Sequence, residues 1–165
     1  MVSLTLAALA GGGLMLLLAA PLLPAPASAL IYAAASLVCH QRPERSFHLD
    51  AFQLPVCARC VGIYAGAALG AAVAVFVGRP RPSSLRPDSW RIRILTLVAL
   101  LPTIVTVALE WMGVWYPSNV VRSLAGAPAG FTVALVVTRG LATVHYGEWA
   151  PRRPAAPPNP PRSPT

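Results

Sequence analysis

The residues able to do chemistry lie close together. The stretch "VCHQRPERSFHLDAFQLPVCARCVGIYAG", residues 38–66, holds all three cysteines, Cys39, Cys57 and Cys60, and two of the three histidines, His40 and His48. Cys57 and Cys60 have C-x-x-C spacing; Pro55 precedes them and an apolar run follows, which predicts that the pair occupies the first turn of a helix. There the unpaired N–H groups and the helix dipole stabilise a thiolate, and Arg59 between the thiols adds a positive charge. Such a pair suits thiol–disulfide exchange or a soft metal such as zinc. Seventeen residues separate Cys39 from Cys57, a workable loop closure, and His40 beside Cys39 completes a Cys3His set of the kind that holds tetrahedral zinc. His48 is a further candidate ligand. Haem attachment is excluded because Val61 and not His follows Cys60. A third use of the thiols is structural, with a disulfide from Cys39 to Cys57 or Cys60 closing the loop in an oxidising compartment.

The elements that must position these residues are apolar. Of 165 residues, 56% are hydrophobic and 11% charged, a balance that points to the membrane class. The apolar residues form runs at 2–20, 61–77, 94–113 and 120–138, and Glu110 is the one acid within them. Each run approaches the roughly 17 to 25 residues that a helix needs to cross a hydrocarbon core of about 30 Å. Segments in lipid must satisfy their own backbone groups, so the runs are read as helices and the fold as all-α: one polytopic membrane domain over 1–148. Pro21, Pro24 and Pro26 interrupt the chain after the first run, and 28–39 follows as a short helix, interfacial or re-entrant. The first run resembles a signal peptide in ending at Ala27-Ser28-Ala29, but it has no basic residue before it and is long, so it is read as a retained helix. Residues 149–165 are Pro- and Arg-rich and predict a disordered tail.

Charge distribution predicts orientation. All thirteen basic residues are Arg: nine lie between the second and third runs or after the fourth, and four, Arg42, Arg45, Arg59 and Arg122, lie at the other side. The positive-inside rule then places both termini in the cytoplasm and the Cys/His loop, residues 39–60, outside the cell membrane. The net charge of +8 is explained by this orientation and by anionic headgroups rather than by nucleic acid, for which no motif is present. The lipid bilayer is the expected partner.

The same orientation brings further polar residues to the cysteine side. Glu110 lies near the outer end of the third run, where an ionisable group is costly unless paired. Arg122 follows the capping residues Ser118 and Asn119 in the first turn of the fourth helix, so a Glu110–Arg122 ion pair beneath the loop is expected. Gly62, Gly66 and Gly70 repeat every four residues, as do Gly126 and Gly130, and small residues at that spacing let membrane helices approach closely.

The segments "CHQRPERSF", "LPVCARCVGIYAG" and "PSNVVRSLAGAPAG", in that order, resemble DUF2085, a family of prokaryotic predicted membrane proteins. Its pattern falls on Cys39, His40, Gln41, Pro43, Arg45, Ser46, Phe47, Leu54, Pro55, Cys57, Arg59, Cys60, Gly62, Ile63, Tyr64, Gly66, Ser118, Asn119, Arg122 and Gly126, within about residues 32–130. Where the family commonly has Asp-Gly in the third membrane helix, this chain has Glu110-Trp111. The resemblance implies a small multi-helix membrane protein and no known activity. Two classes stay open: a metal-binding or thiol-redox membrane protein, and a transporter subunit or envelope assembly factor whose cysteines only staple the loop. No Walker loop, serine-hydrolase elbow, H-E-x-x-H or dinucleotide fingerprint is present to support an NTPase, hydrolase or dehydrogenase.

Overall fold

The computed structural model describes residues 2–77 and 89–149, and it is all-helical apart from one small hairpin. Helix α1, Val2–Ala19, runs into a 3-10 turn at Ala20–Leu22; α2 covers Ala25–Ser36; strands β1, Ser46–Leu49, and β2, Phe52–Cys57, form the hairpin; α3 is Ala58–Phe76, α4 Ser89–Trp111 and α5 Asn119–Trp149. Among the described residues four segments are long and apolar enough to cross a membrane: Ser3–Leu22, Ala58–Phe76, Trp90–Trp111 and Asn119–Leu141. Their outer faces carry exposed Leu9, Leu69, Leu97, Val98, Leu101 and Leu124, side chains that belong in lipid. Most of the basic segment between α3 and α4 (78–88) and the expected tail from residue 150 onward lie outside the described residues.

The three prolines after α1 do not delay the next helix to residue 28. Pro24 stands at the N-cap of α2 and Pro26 in its first turn, positions at which a missing N–H breaks no helical bond. Helix α5 likewise passes the expected end at 138 and continues to Trp149.

The central packing is between α3 and α5. Gly62 lies against the backbone of Ser123, Gly66 against Ala127 and Gly70 against Phe131; a Cβ at any of the three would fall on the facing carbonyl oxygen. The two helices advance in step, four residues for four, so they run parallel and begin at the same level. Gly126 and Gly130 return the contact from α5, facing Arg59 and Ile63. Backbones this close gain dispersion contacts that Leu-on-Leu packing in lipid does not offer. Helix α4 runs back between them in sequence and is tied to α5 by Thr103, whose Oγ1 donates to the Ala125 carbonyl at 2.7 Å.

Residues 46–57 are where the structure departs from the expected loop. Leu49 pairs with Phe52 across a two-residue turn, His48 with Gln53 and Ser46 with Cys57; one residue of β1 then faces three of β2 in a bulge. Pro55 sits in that bulge, where the ladder needs no N–H from it. The hairpin is buried on its inner side: Leu54 is 6% exposed, Val56 1% and Ser46 1%.

Candidate metal centre

The hairpin delivers Cys57 to the start of α3. Cys57 is the N-cap residue, with extended backbone (φ −67°, ψ 159°), and Cys60 lies three residues on, in the first turn. Cys39 arrives from the other direction, just after α2, and packs with Ala35 and Val56 in a small apolar cluster that Leu17, Val61 and Tyr64 cover. The three Sγ atoms lie within 4.8 Å of one another, and all three are free thiols. The Cys57 backbone N–H donates to Cys39 Sγ at 3.1 Å.

Neither imidazole joins this cluster. His40 is solvent-exposed although its neighbour Cys39 is buried, and His48 is exposed on β1. Among the described residues the close donor group consists of thiols alone, so the Cys3His set is not assembled in this conformation. Adjacent residues project differently from the chain, and Cys39 takes the inward place.

The chain between Cys39 and the hairpin is held by side-chain amides. Gln41 has a left-handed backbone, φ 49°. Its Nε2 donates to the carbonyls of Tyr32 and Pro55, each at 2.8 Å, joining α2 to β2. Gln53 Nε2 donates in turn to the Gln41 carbonyl at 2.6 Å, and the Tyr32 hydroxyl donates to the Gln53 carbonyl. Asn119 extends the network to α5: its Nδ2 donates to the Ser46 carbonyl at 2.9 Å and its Oδ1 accepts from Arg122 Nη1 at 2.9 Å. Gln41 falls on the family pattern, but glutamines inside a polar segment carry no sequence signal that distinguishes such a brace from a solvated loop.

Charge gathers next to the thiols. Glu110 is 6% exposed, and three arginines from three separate segments reach it: Arg122 at 2.8 Å, Arg45 at 3.2 Å and Arg59 at 3.5 Å. The expected Glu110–Arg122 pair is therefore one contact of a four-residue cluster. Arg59 and Arg45 were legible only as basic residues on the same side. Arg59 Nη2 also reaches Thr106 Oγ1 at 3.4 Å, and the Nε atoms of Arg59 and Arg122 are buried without an acceptor.

The local field favours a thiolate at Cys57. The Cys60 thiol hydrogen-bonds its sulfur, and backbone N–H groups at the helix start and the Cys39 side chain add to this; together they outweigh burial and bring the Cys57 pKa down to about 5. A cavity of about 470 Å³ opens on the cluster, lined by the three thiols, His40, and Arg42, Arg45, Arg59 and Arg122. The arrangement offers up to three soft donors at one point and guanidinium groups around the space in front of them.

Fold and site together define a class: a multi-span helical membrane protein carrying a thiol and arginine centre at the end of its helix bundle. Within that class the chain belongs to DUF2085, the predicted membrane protein family, which matches over residues 39–136 and so takes in every cysteine, Glu110 and Arg122. It is 34% identical over 110 residues to an uncharacterised protein of Methanocaldococcus jannaschii, covering 67% of each chain. It is 32% identical over 99 residues to an uncharacterised protein of Methanothermobacter thermautotrophicus, covering 60% of this chain and 83% of that one. No solved structure matches.

Proposed function

We propose that this membrane protein binds one soft divalent metal ion, zinc by donor type, through Cys39, Cys57 and Cys60, on the extracytoplasmic side of the cell membrane with both termini in the cytoplasm. The observation that carries the reading is the convergence of three sulfurs within 4.8 Å from two segments of chain. Tetrahedral zinc with Zn–S bonds of about 2.3 Å places its sulfurs roughly 3.8 Å apart, so the group needs only a small contraction. The N–H from Cys57 to Cys39 Sγ supports the reading as well, since outer hydrogen bonds orient ligand atoms. Three protein donors would leave a tetrahedral ion one position short, the pattern of a site that exchanges a ligand rather than a closed structural one.

Elemental analysis of purified protein, with cobalt substitution read by its thiolate absorption bands, tests this. One metal per chain, lost in Cys39→Ser, Cys57→Ser and Cys60→Ser and kept in His40→Ala and His48→Ala, is the expected result. A metal-free protein with one disulfide and one free thiol overturns it in favour of a stapled loop.

The depressed Cys57 pKa favours a second reading, thiol–disulfide exchange. The Cys57 thiolate attacks a partner disulfide and expels one partner thiolate; Cys60 then gives up its proton and displaces the second, leaving a Cys57–Cys60 disulfide and a reduced partner. A trapped mixed disulfide in Cys60→Ser, in metal-free protein, distinguishes it.

A further inference from the structure

Arginine is out of place at the start of these helices. Neither α3 nor α5 has an acid in its first turn, although the positive ends of two parallel helices favour one. Instead each start carries an arginine, Arg59 in α3 and Arg122 in α5, and both line the same cavity. Arg42 and Arg45 approach that cavity from the segment before the hairpin. Four guanidinium groups are thus met by one buried carboxylate, Glu110, which three of them share. Glu44, the exposed acid beside Arg45, does not line the cavity. Even with a full negative charge on the thiol cluster, as a single thiolate or as a divalent metal held by three, two positive charges stay uncompensated among the groups around it. Arg122, 7% exposed, also keeps a buried Nε–H with no acceptor.

We infer that the cavity binds a phosphate group, free or carried on a lipid headgroup, between Arg42, Arg45, Arg59 and Arg122. Forked guanidinium donors match the oxygens of phosphate, and charge-assisted bonds of this kind are about twice as strong as neutral ones. Phosphate carries up to two negative charges, the number left over. A volume of about 470 Å³ holds the group together with part of a headgroup, within the range of roughly 300 to 1,000 Å³ typical of small-molecule sites. The inference stands on the arginines and does not require a metal at the thiols.

Two measurements on the purified full-length chain test it, with metal content determined in each sample. Equilibrium dialysis against radiolabelled inorganic phosphate reads the free anion. Native mass spectrometry after exchange into phosphatidylcholine nanodiscs with and without phosphatidylglycerol reads the headgroup. Saturable binding of one phosphate group per chain in either arm is expected, and the arm that responds identifies the source. Arg42→Gln, at an exposed position, and Arg45→Gln, at a partly exposed one, each weaken binding about tenfold. Arg93→Gln, exposed near the start of α4 at the far end from Glu110, leaves it unchanged. Binding persists in chelator-treated, metal-free protein, which separates this site from the metal. Absence of saturable binding in both arms, equal loss in Arg93→Gln, or loss on removal of the metal overturns the proposal.

Discussion

The Glu110 carboxylate, one residue before the end of α4, accepts from Arg122 Nη2 in the first turn of α5 at 2.8 Å. That contact joins the negative end of one helix to the positive end of the next, and it draws Arg59 and Arg45 to the same carboxylate.

Removing the acid leaves three guanidinium groups without their counter-charge. Glu110→Gln is expected to lower stability by about 3 to 5 kcal/mol, the range for breaking a buried pair from one side. Arg45, whose side chain is 32% exposed, is screened by solvent, so Arg45→Gln costs about 1 kcal/mol or less. Thermal unfolding of both variants in detergent measures the difference; equal effects would show that burial does not govern the cluster.

The helices and this ion pair were legible in the sequence for one reason. In a chain 11% charged, each polar residue inside an apolar run stands out, and length against bilayer thickness fixes the spans. The hairpin was not legible, because its two-residue turn Asp50-Ala51 lacks the usual Asn-Gly or Gly and Pro55 interrupts the alternating pattern. The thiols could be grouped from spacing, whereas the exclusion of His40 depends on which way one residue faces beside the left-handed Gln41. Spacing carries no information on that.

The α3–α5 contact predicts opposite outcomes for the same substitution at two glycines. In Gly130→Ala the new Cβ meets the Ile63 carbonyl, which is backbone and fixed, so the helices must separate; a loss of about 1 to 3 kcal/mol follows. In Gly12→Ala on α1 nothing lies within 4 Å, and relief of backbone freedom makes the variant neutral or up to about 1 kcal/mol more stable. Melting curves of the two variants, side by side, check the sign.

Cys57 should titrate far below an ordinary thiol. With its pKa near 5, the reactive thiolate forms as pH rises through 5, so iodoacetamide labelling of metal-free protein levels off above that pH. An unperturbed cysteine, with a pKa of about 8.5, is still gaining reactivity there. Because the Cys60 thiol is the largest lowering influence, Cys60→Ala moves the midpoint of Cys57 upward. Mass spectrometry of labelled peptides across a pH series reads both midpoints, and a Cys57 midpoint above 7 in the unmutated chain contradicts the assigned hydrogen bonds.

Two left-handed residues near the thiols differ in what holds them. Gln41, φ 49°, is braced by two hydrogen bonds from its amide, whereas Asp50, φ 53°, lies exposed in the hairpin turn. Gln41→Ala keeps the unfavourable backbone and removes both bonds, leaving carbonyls of α2 and β2 short of a donor, so a loss of about 2 kcal/mol is expected. Asp50→Gly relieves its backbone without losing a brace, and stability stays level or rises by up to about 1 kcal/mol. Gln41 stands two residues from Cys39, and its loss should also free that cysteine from the cluster. Hydrogen exchange across residues 39–57 is then faster in Gln41→Ala and unchanged in Asp50→Gly, and the labelling midpoint of Cys57, which loses the smaller contribution of Cys39, moves upward by less than in Cys60→Ala.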